Sequence, residues 1–322
     1  MVKRLLYITI SFFILFLIII SVLLNFIFTP EKVTPVVLGV LNENLDGKVE
    51  CTSVELTFFS TFPNFGAKMN NGNIYSGKEN QDTIGSFKEC KIALNVVKLL
   101  RANEIDVRRV SLIQPNLRIL TKKDGKLNWD ILKKENTIDV QTDTAKFHVD
   151  FNSMKVKKLV IKEASISYQD MVSKLAIAIP KLNLNLSASD DKKQTVFKVD
   201  CTTEQMAVGS DIYKVVKDLK TYLKTDLVLN KTTRELKLSD TKLELNDIAF
   251  DLEGDFKKVP KEKKVSVNLK AFLKVPSLET LWLALPRKYL NIEDVDIDGL
   301  AQLELSTTGF WEVEVYQYLK EY

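Results

Sequence analysis

From Leu5 to Phe28 the chain reads LLYITISFFILFLIIISVLLNFIF, without one charged side chain. As a helix this stretch would be about 36 Å long, enough to cross a hydrocarbon core of about 30 Å with some tilt. Its polar groups are Asn25 and the hydroxyls of Tyr7, Thr9, Ser11 and Ser21. Lys3 and Arg4 precede it, so the positive-inside rule places residues 1–4 in the cytoplasm and everything after Thr29 beyond the membrane. A cleaved signal peptide would have an apolar run of about 7–15 residues closed by small side chains. Here the run is longer and ends Asn25-Phe26-Ile27-Phe28-Thr29-Pro30, with no A-x-A pattern, which favours an uncleaved anchor over residues 5–28.

The remainder is long enough for two ordinary domains or one elongated one, within a chain of 322 residues. With 17 Phe, 9 Tyr and 3 Trp it has ample material for a core. Basic and acidic residues nearly balance, 46 against 42 over the whole chain, which gives no footprint for nucleic acid. His148 is the single histidine, so Ser-His-Asp chemistry in its ordinary form and multi-histidine metal sites are excluded. Cys51, Cys90 and Cys201 form no CxxC; Cys51 and Cys90 are the nearer couple if two pair, but the odd count favours plain buried thiols.

Beyond Pro30 the dominant hydrophobic period is two. Val49, Cys51, Val54, Leu56 and Phe58 begin it, with a slip of phase near Thr52. Val107, Val110 and Leu112 lead through Pro115 to Leu117 and Ile119, and Ile166/Tyr168 follow. Leu175, Ile177 and Ile179 alternate in one parity and Leu182, Leu184 and Leu186 in the other, so a bulge at Pro180-Lys181 is predicted to keep both halves on one face. Further runs are Leu227/Leu229, Leu236/Leu238, Leu243/Leu245, Ile248/Phe250/Leu252, Val265/Val267/Leu269 and Leu303/Leu305. Such alternation predicts antiparallel strands with one apolar and one polar face. Turn signals stand at Asn70–Asn73, Lys123–Lys126, Asp190–Lys193 and Lys231–Arg234.

Helical spacing is scarce. It is predicted for Pro35–Leu45, Val96–Ala102, the set Ile212, Val215, Val216, Leu219 and Leu223, and the set Leu278, Leu281, Trp282 and Leu285. The polar stretch 136–147 reads as a linker between two β regions, 32–135 and 148–322. The fold class is therefore mainly β with a few helices, an α+β chain of about a dozen strands. The helices are too few to cover every apolar strand face. Either two sheets pack face to face, or a sheet packs on the Ile212 and Leu278 helices, around a dry core; or one curved sheet leaves an apolar face open to something greasy.

Two segments imitate chemical motifs. Gly72-Asn-Ile-Tyr-Ser-Gly77-Lys78 fits a phosphate loop, but Glu79 stands where Ser or Thr would hold magnesium, and a hairpin connection is the better reading. Asp294-Val-Asp296-Ile-Asp298-Gly299 opens like a calcium loop, but its closing position is Leu305, and an acidic strand edge fits better. No catalytic residue, metal or cofactor is assigned, and the chain is expected not to be an enzyme.

The segment Ile105–Leu132, IDVRRVSLIQPNLRILTKKDGKLNWDIL, resembles the N-terminal region of bacterial AsmA family proteins. Pro115, Leu117, Ile119, Asp124, Gly125, Asn128, Trp129, Asp130 and Leu132 fall on that pattern; Leu45-Asp46-Gly47, Phe62-Pro63, Leu285-Pro286 and Thr308-Gly309 are similar to other parts of it. The resemblance implies a single-pass inner-membrane protein, cytoplasmic at its N-terminus, with an elongated, curved antiparallel β groove in the periplasm. It implies a role in outer-membrane biogenesis and lipid homeostasis, with phospholipid acyl chains as the partner and other envelope proteins as further ones. The groove would be lined by Leu175, Ile177, Ile179, Leu182, Leu184, Leu186, Leu243, Leu245, Val265, Val267 and Leu269. Asn128 and Trp129 would pin a turn, Asn128 by satisfying backbone groups and Trp129 by burying area. The alternative is a scaffold or assembly factor for outer-membrane proteins that carries no lipid. Family members continue beyond Tyr322, and the tail GFWEVEVYQYLKEY matches none of their patterns, so a truncated member, a short paralogue or one piece of a longer bridge is expected.

Overall fold

The computed structural model describes residues 29–43, 45–57, 65–77, 82–95, 107–131, 156–210, 219–246, 248–259, 264–275 and 301–312, with Tyr7, Ser11, Phe12, Leu15, Ser277, Leu278 and Gly299. The apolar stretch 5–28 lies outside them except for those four positions, which are helical with exposed side chains. Among the described residues no helix is long and apolar enough to cross a membrane. The linker 136–147, the helical stretch Val96–Ala102, His148 and Asp294–Asp298 also fall outside.

Helix α1 spans Pro30–Glu43. Thr29 caps it, its carbonyl accepting from the Lys32 and Val33 amides, and Pro30 supplies the fixed φ suited to a first turn. The helix therefore begins before Pro35, where the sequence pattern had placed its start. A proline inside a helix removes one backbone donor. Thr34 donates its hydroxyl to the Pro30 carbonyl at 2.6 Å.

The strands are β1 Lys48–Thr57, β2 Phe65–Tyr75, β3 Thr83–Leu94, β4 Val107–Ile113, β5 Asn116–Thr121, β6 Lys158–Asp170 and β7 Leu175–Asp190. They continue as β8 Gln194–Thr203, β9 Ala207–Ser210, β10 Thr221–Asn230, β11 Glu235–Leu245, β12 Ile248–Lys258, β13 Lys264–Val275 and β14 Ala301–Glu312. All belong to one large curved sheet, ordered β1-β2-β3-β4-β6-β7-β8-β10-β11-β12-β13-β14. The β regions on either side of the 136–147 stretch thus share one hydrogen-bonded sheet.

The sheet is mixed, not purely antiparallel. β4 and β5 run end to end along β6, both parallel to it, broken only by Gln114 at φ 49° and the fully buried Pro115. A parallel pair needs a crossover of a dozen residues or more. The chain between β5 and β6 supplies it, which gives the polar excursion in the sequence its topological reason.

Local chemistry fixes the joints. Asp170, Asp191 and Asn230 each accept two backbone N–H groups with Oδ1, closing the hairpins β6–β7, β7–β8 and β10–β11. In β6–β7, Ile166 faces Ile179 and Ala164 faces Leu182, so Pro180 and Lys181 together oppose Ser165. This is the bulge that the parity switch predicts. By contrast, Asn70–Asn73 is no turn: it lies within β2, opposite β1 and β3. Its glycine is a packing device, because a Cβ on Gly72 would sit 2.6 Å from Phe87 Cε1 and Cε2 and nearer still to Cζ. Leu223, expected on a helix, is in β10, where Leu223, Thr225, Leu227 and Leu229 keep the strand period; Leu219 is not helical. The stretch 211–218 lies outside the described residues.

The densest core is at the β1 end. Val33, Val54, Met69, Phe87 and Cys90 are buried together, with Val37 and Leu41 of α1 and Cys51, Leu56 and Leu112 packed around them. Cys51 and Val54 reach the same cluster despite their odd spacing, which is the outcome of the phase slip. Burial pushes the Cys90 thiol up to about 12, helped by the neighbouring Cys51 and Glu89.

Candidate functional site, a continuous apolar sheet face

Residues standing directly opposite each other on neighbouring strands project to the same face. Followed along the register, Val54 faces Met69, Met69 faces Cys90, Cys90 faces Leu112 and Leu112 stands beside Ile161. The line continues through Leu184, Cys201, Leu223, Leu243, Phe250, Leu273 and Leu303. Every strand of the main path contributes one apolar side chain to a single row across the sheet, about 53 Å long at ~4.8 Å per strand.

Parallel rows widen this stripe. Ala188, Phe197, Leu227 and Leu238 form one, leading to Gly254 and Leu269. Thr195, Leu229, Leu236, Phe256 and Val267 form the next. Gly254 lies where a Cβ would meet the Asn268 carbonyl at 2.5 Å and Leu269 Cδ1 at 3.1 Å, so close strand contact requires glycine there.

All eleven lining residues expected from the sequence lie on this face. Leu175, Ile177 and Ile179 reach it from the first half of β7, opposite Asp170, Tyr168 and Ile166, while Ala176 and Ala178 between them are exposed on the other side. Leu182, Leu184 and Leu186 join them through the bulge. Leu243 and Leu245 face Leu223 and Thr221; Val265, Val267 and Leu269 face Lys258, Phe256 and Gly254. Cys201, Leu223, Phe250 and Leu273 belong to the row as well, and the alternation of β10, β12 and β13 carried the signal of the last three.

Coverage changes along the stripe. Over β1–β3 helix α1 lies on it and the row is buried. From β6 onward, among the described residues, no helix packs on it and most of its side chains are half-buried, but Ile248, Leu273 and Val275 form a second buried cluster on β12 and β13 with Phe250 packed against it. On β14 Leu303 and Leu305 are 45% and 57% exposed. The stretch from β6 to β14 is about 34 Å long. The opposite face is polar: Lys198 pairs with Asp226 at 3.2 Å, and two shallow depressions on it are lined mainly by charged and amide side chains such as Lys224, Asp240, Asp255 and Asn268.

Helix α1 also closes the β1 edge. Asn42 Nδ2 donates to the Val49 carbonyl at 2.9 Å and its Oδ1 accepts the Val49 amide at 2.6 Å. Thr34 Oγ1 accepts the Val54 amide at 2.8 Å. Strand groups that would otherwise template another chain are thereby satisfied.

The Asp124–Trp129 segment is a local fastener. Asp124 Oδ1 accepts the Lys126 amide, which holds its carboxyl below the usual range, and Gly125 takes φ 79°. Buried Asn128 accepts from the Leu120 amide at 2.8 Å and donates to the Arg118 carbonyl at 2.7 Å, stitching the turn back onto β5. Trp129 does not bury area as expected: it is 51% exposed, because the turn places it outward while Asn128 points in. Among the described residues no three His, Cys, Asp or Glu side chains are gathered as for a metal ion.

Comparison with curated proteins and with solved structures gives no match. The family model described as AsmA family matches residues 1–246, which takes in α1 and β1 through β11. That match spans well over half of the sequence, together with the strands that build most of the apolar face. The chain belongs to the AsmA family, a family associated with the cell envelope.

Proposed function

We propose that this protein shields phospholipid acyl chains on its apolar sheet face, anchored in the bacterial inner membrane by residues 5–28, with the sheet in the periplasm, and serves lipid homeostasis and outer-membrane biogenesis. The observation that carries the reading is the apolar row crossing every strand of the main path, which beyond α1 no described element covers.

Each CH₂ taken into water costs about 0.8 kcal/mol, so a bare acyl tail of ordinary length meets a barrier above ~10 kcal/mol. A half-buried lining of Leu, Ile, Val and Phe removes much of that cost while leaving a head group wet at the side. The half-buried part of the row, from β6 to β12 and about 24 Å long, exceeds the ~15 Å depth of one leaflet, taken as half of a ~30 Å hydrocarbon core. A tail lying along the rows therefore fits without folding back. The α1 cover closes one end of the stripe.

The test is lipid extraction and mass spectrometry of the full chain purified through a fluorinated surfactant. Co-purifying phospholipid, lost when Ile177, Leu184 and Leu245 are each changed to Asp, is the expected result. A lipid-free, monodisperse protein would mean that the face docks envelope proteins, as a scaffold.

A further inference from the structure

Two pairs of threonines lie on the apolar face, and the pairs differ. Thr225 and Thr241 are buried and bonded to each other at 2.6 Å, and Thr241 Oγ1 also reaches the Ser239 carbonyl at 3.4 Å. Their donors and acceptors are settled within the sheet. Thr203 and Thr221 stand directly opposite each other on β8 and β10, one row along from Cys201 and Leu223, in a row that runs Leu182, Thr203, Thr221, Leu245, Ile248, of which Leu182, Thr203 and Ile248 are buried. Both hydroxyl oxygens are screened from water, and among the described residues neither has a hydrogen-bond partner. Thr203 is 8% exposed.

A buried hydroxyl without a partner destabilises the fold that contains it, and valine of nearly the same shape would remove that cost. Two such hydroxyls side by side therefore point to an acceptor that arrives from outside. We infer that Thr203 and Thr221 form a polar notch that receives the ester carbonyl oxygen of a glycerolipid whose tail lies along the neighbouring row of Leu184, Cys201 and Leu223. This deepens the acyl-chain reading above and rests on it.

The chemistry selects the acceptor. Hydroxyls donate to a carbonyl oxygen, and the side chains in register with the pair, Leu182 and Leu245, carry no positive charge. A neutral ester is thus favoured over a carboxylate, whose burial without a cation is costly. The pair adjoins the row of Leu184, Cys201 and Leu223 on which the tail would lie.

The experiment uses the full chain in a fluorinated surfactant, with bound phenylnaphthylamine displaced by methyl laurate, by laurate or by an alkane of matched length. In the wild type the ratio of ester to alkane affinity is expected to be about tenfold higher than in the T203V/T221V variant, the upper range for one net hydrogen bond. Alkane affinity should be the same in both, which also shows that the variant is folded. T203S/T221S, which keeps both hydroxyls, should retain the wild-type ratio. An equal ratio in wild type and valine variant, or a threonine-dependent gain for laurate instead of the ester, overturns the notch while leaving the acyl-chain reading intact. Failure of all three ligands to displace the probe overturns both.

Discussion

Gly72 lies under the ring of Phe87, and the closed end of the apolar face depends on that fit. Replacing Gly72 by Ala puts a methyl group 2.6 Å from Phe87 Cε1 and Cε2, about 1 Å inside ordinary carbon–carbon contact. Phe87 is buried among Val54, Met69 and Cys90 beneath α1, so its ring has nowhere to retreat without moving the helix. Overpacking of this kind costs about 1–3 kcal/mol, and we expect ~2 kcal/mol for G72A. The register shows that Gly72 faces Phe87 directly, so the cost should vanish when the ring is shortened. F87L alone should destabilise moderately, and G72A should add less than ~0.5 kcal/mol in the F87L background. Hydrogen exchange of the β2 and β3 amides, whose opening free energy reports this region, is the assay. A G72A penalty as large in F87L as in wild type would refute the argument, because the cost would then be one of strand backbone and not of the glycine–ring contact.

The α1 clasp predicts that N42A frees the Val49 amide and carbonyl together, weakening the β1 edge by about 1–3 kcal/mol and raising exchange at Val49 and Val54 ahead of the rest of the sheet. Cys90, with its thiol at about 12, should resist labelling at pH 8 until denaturant is added. Since its folded pKa lies above the unfolded value, that group's contribution to stability is complete below the unfolded pKa and is lost as the pH rises from there towards about 12; C90A should flatten that alkaline decline. At the β7–β8 hairpin, the Asp191 carboxylate is held below its usual value, first by the Gln194 and then by the Lys193 amide. Its contribution is therefore present above the ordinary aspartate range and lost as the pH falls through the lowered value, and D191A should abolish that acid step in a pH-dependent melting series.

Much of the fold was legible as period-two patterning, because an antiparallel sheet with one polar face writes its alternation directly into sequence. The parity change at Pro180–Lys181 located a bulge, since only an extra residue can return Leu182 to the face of Ile179. The hairpin turns at Asp190–Lys193 and Lys231–Arg234 were equally plain. Other features were not legible, for physical reasons. Asn70–Asn73 has turn composition, yet it is strand, because Gly72 answers to Phe87 across the ladder and not to its neighbours in sequence. Leu223 fits helical and strand periods alike, and cross-strand pairing with Cys201 and Leu243 decides between them. The parallel joint of β4 and β5 with β6 is set by a crossover, which leaves no mark on alternation. Of the candidate site, the leucines and valines could be read from pattern, but the threonine pairs could not, because hydroxyls on an apolar face reveal themselves only when the register shows what they meet.

The central claim is that lipid contacts one face of the sheet and not the other. A photoreactive amino acid placed in living cells at Leu223 or Leu243, on the apolar row, should cross-link to phospholipid, while the same residue at Lys224 or Lys242, one position along and on the opposite face, should not. Cross-links to lipid at both faces, or to protein alone at Leu223 and Leu243, would contradict the account.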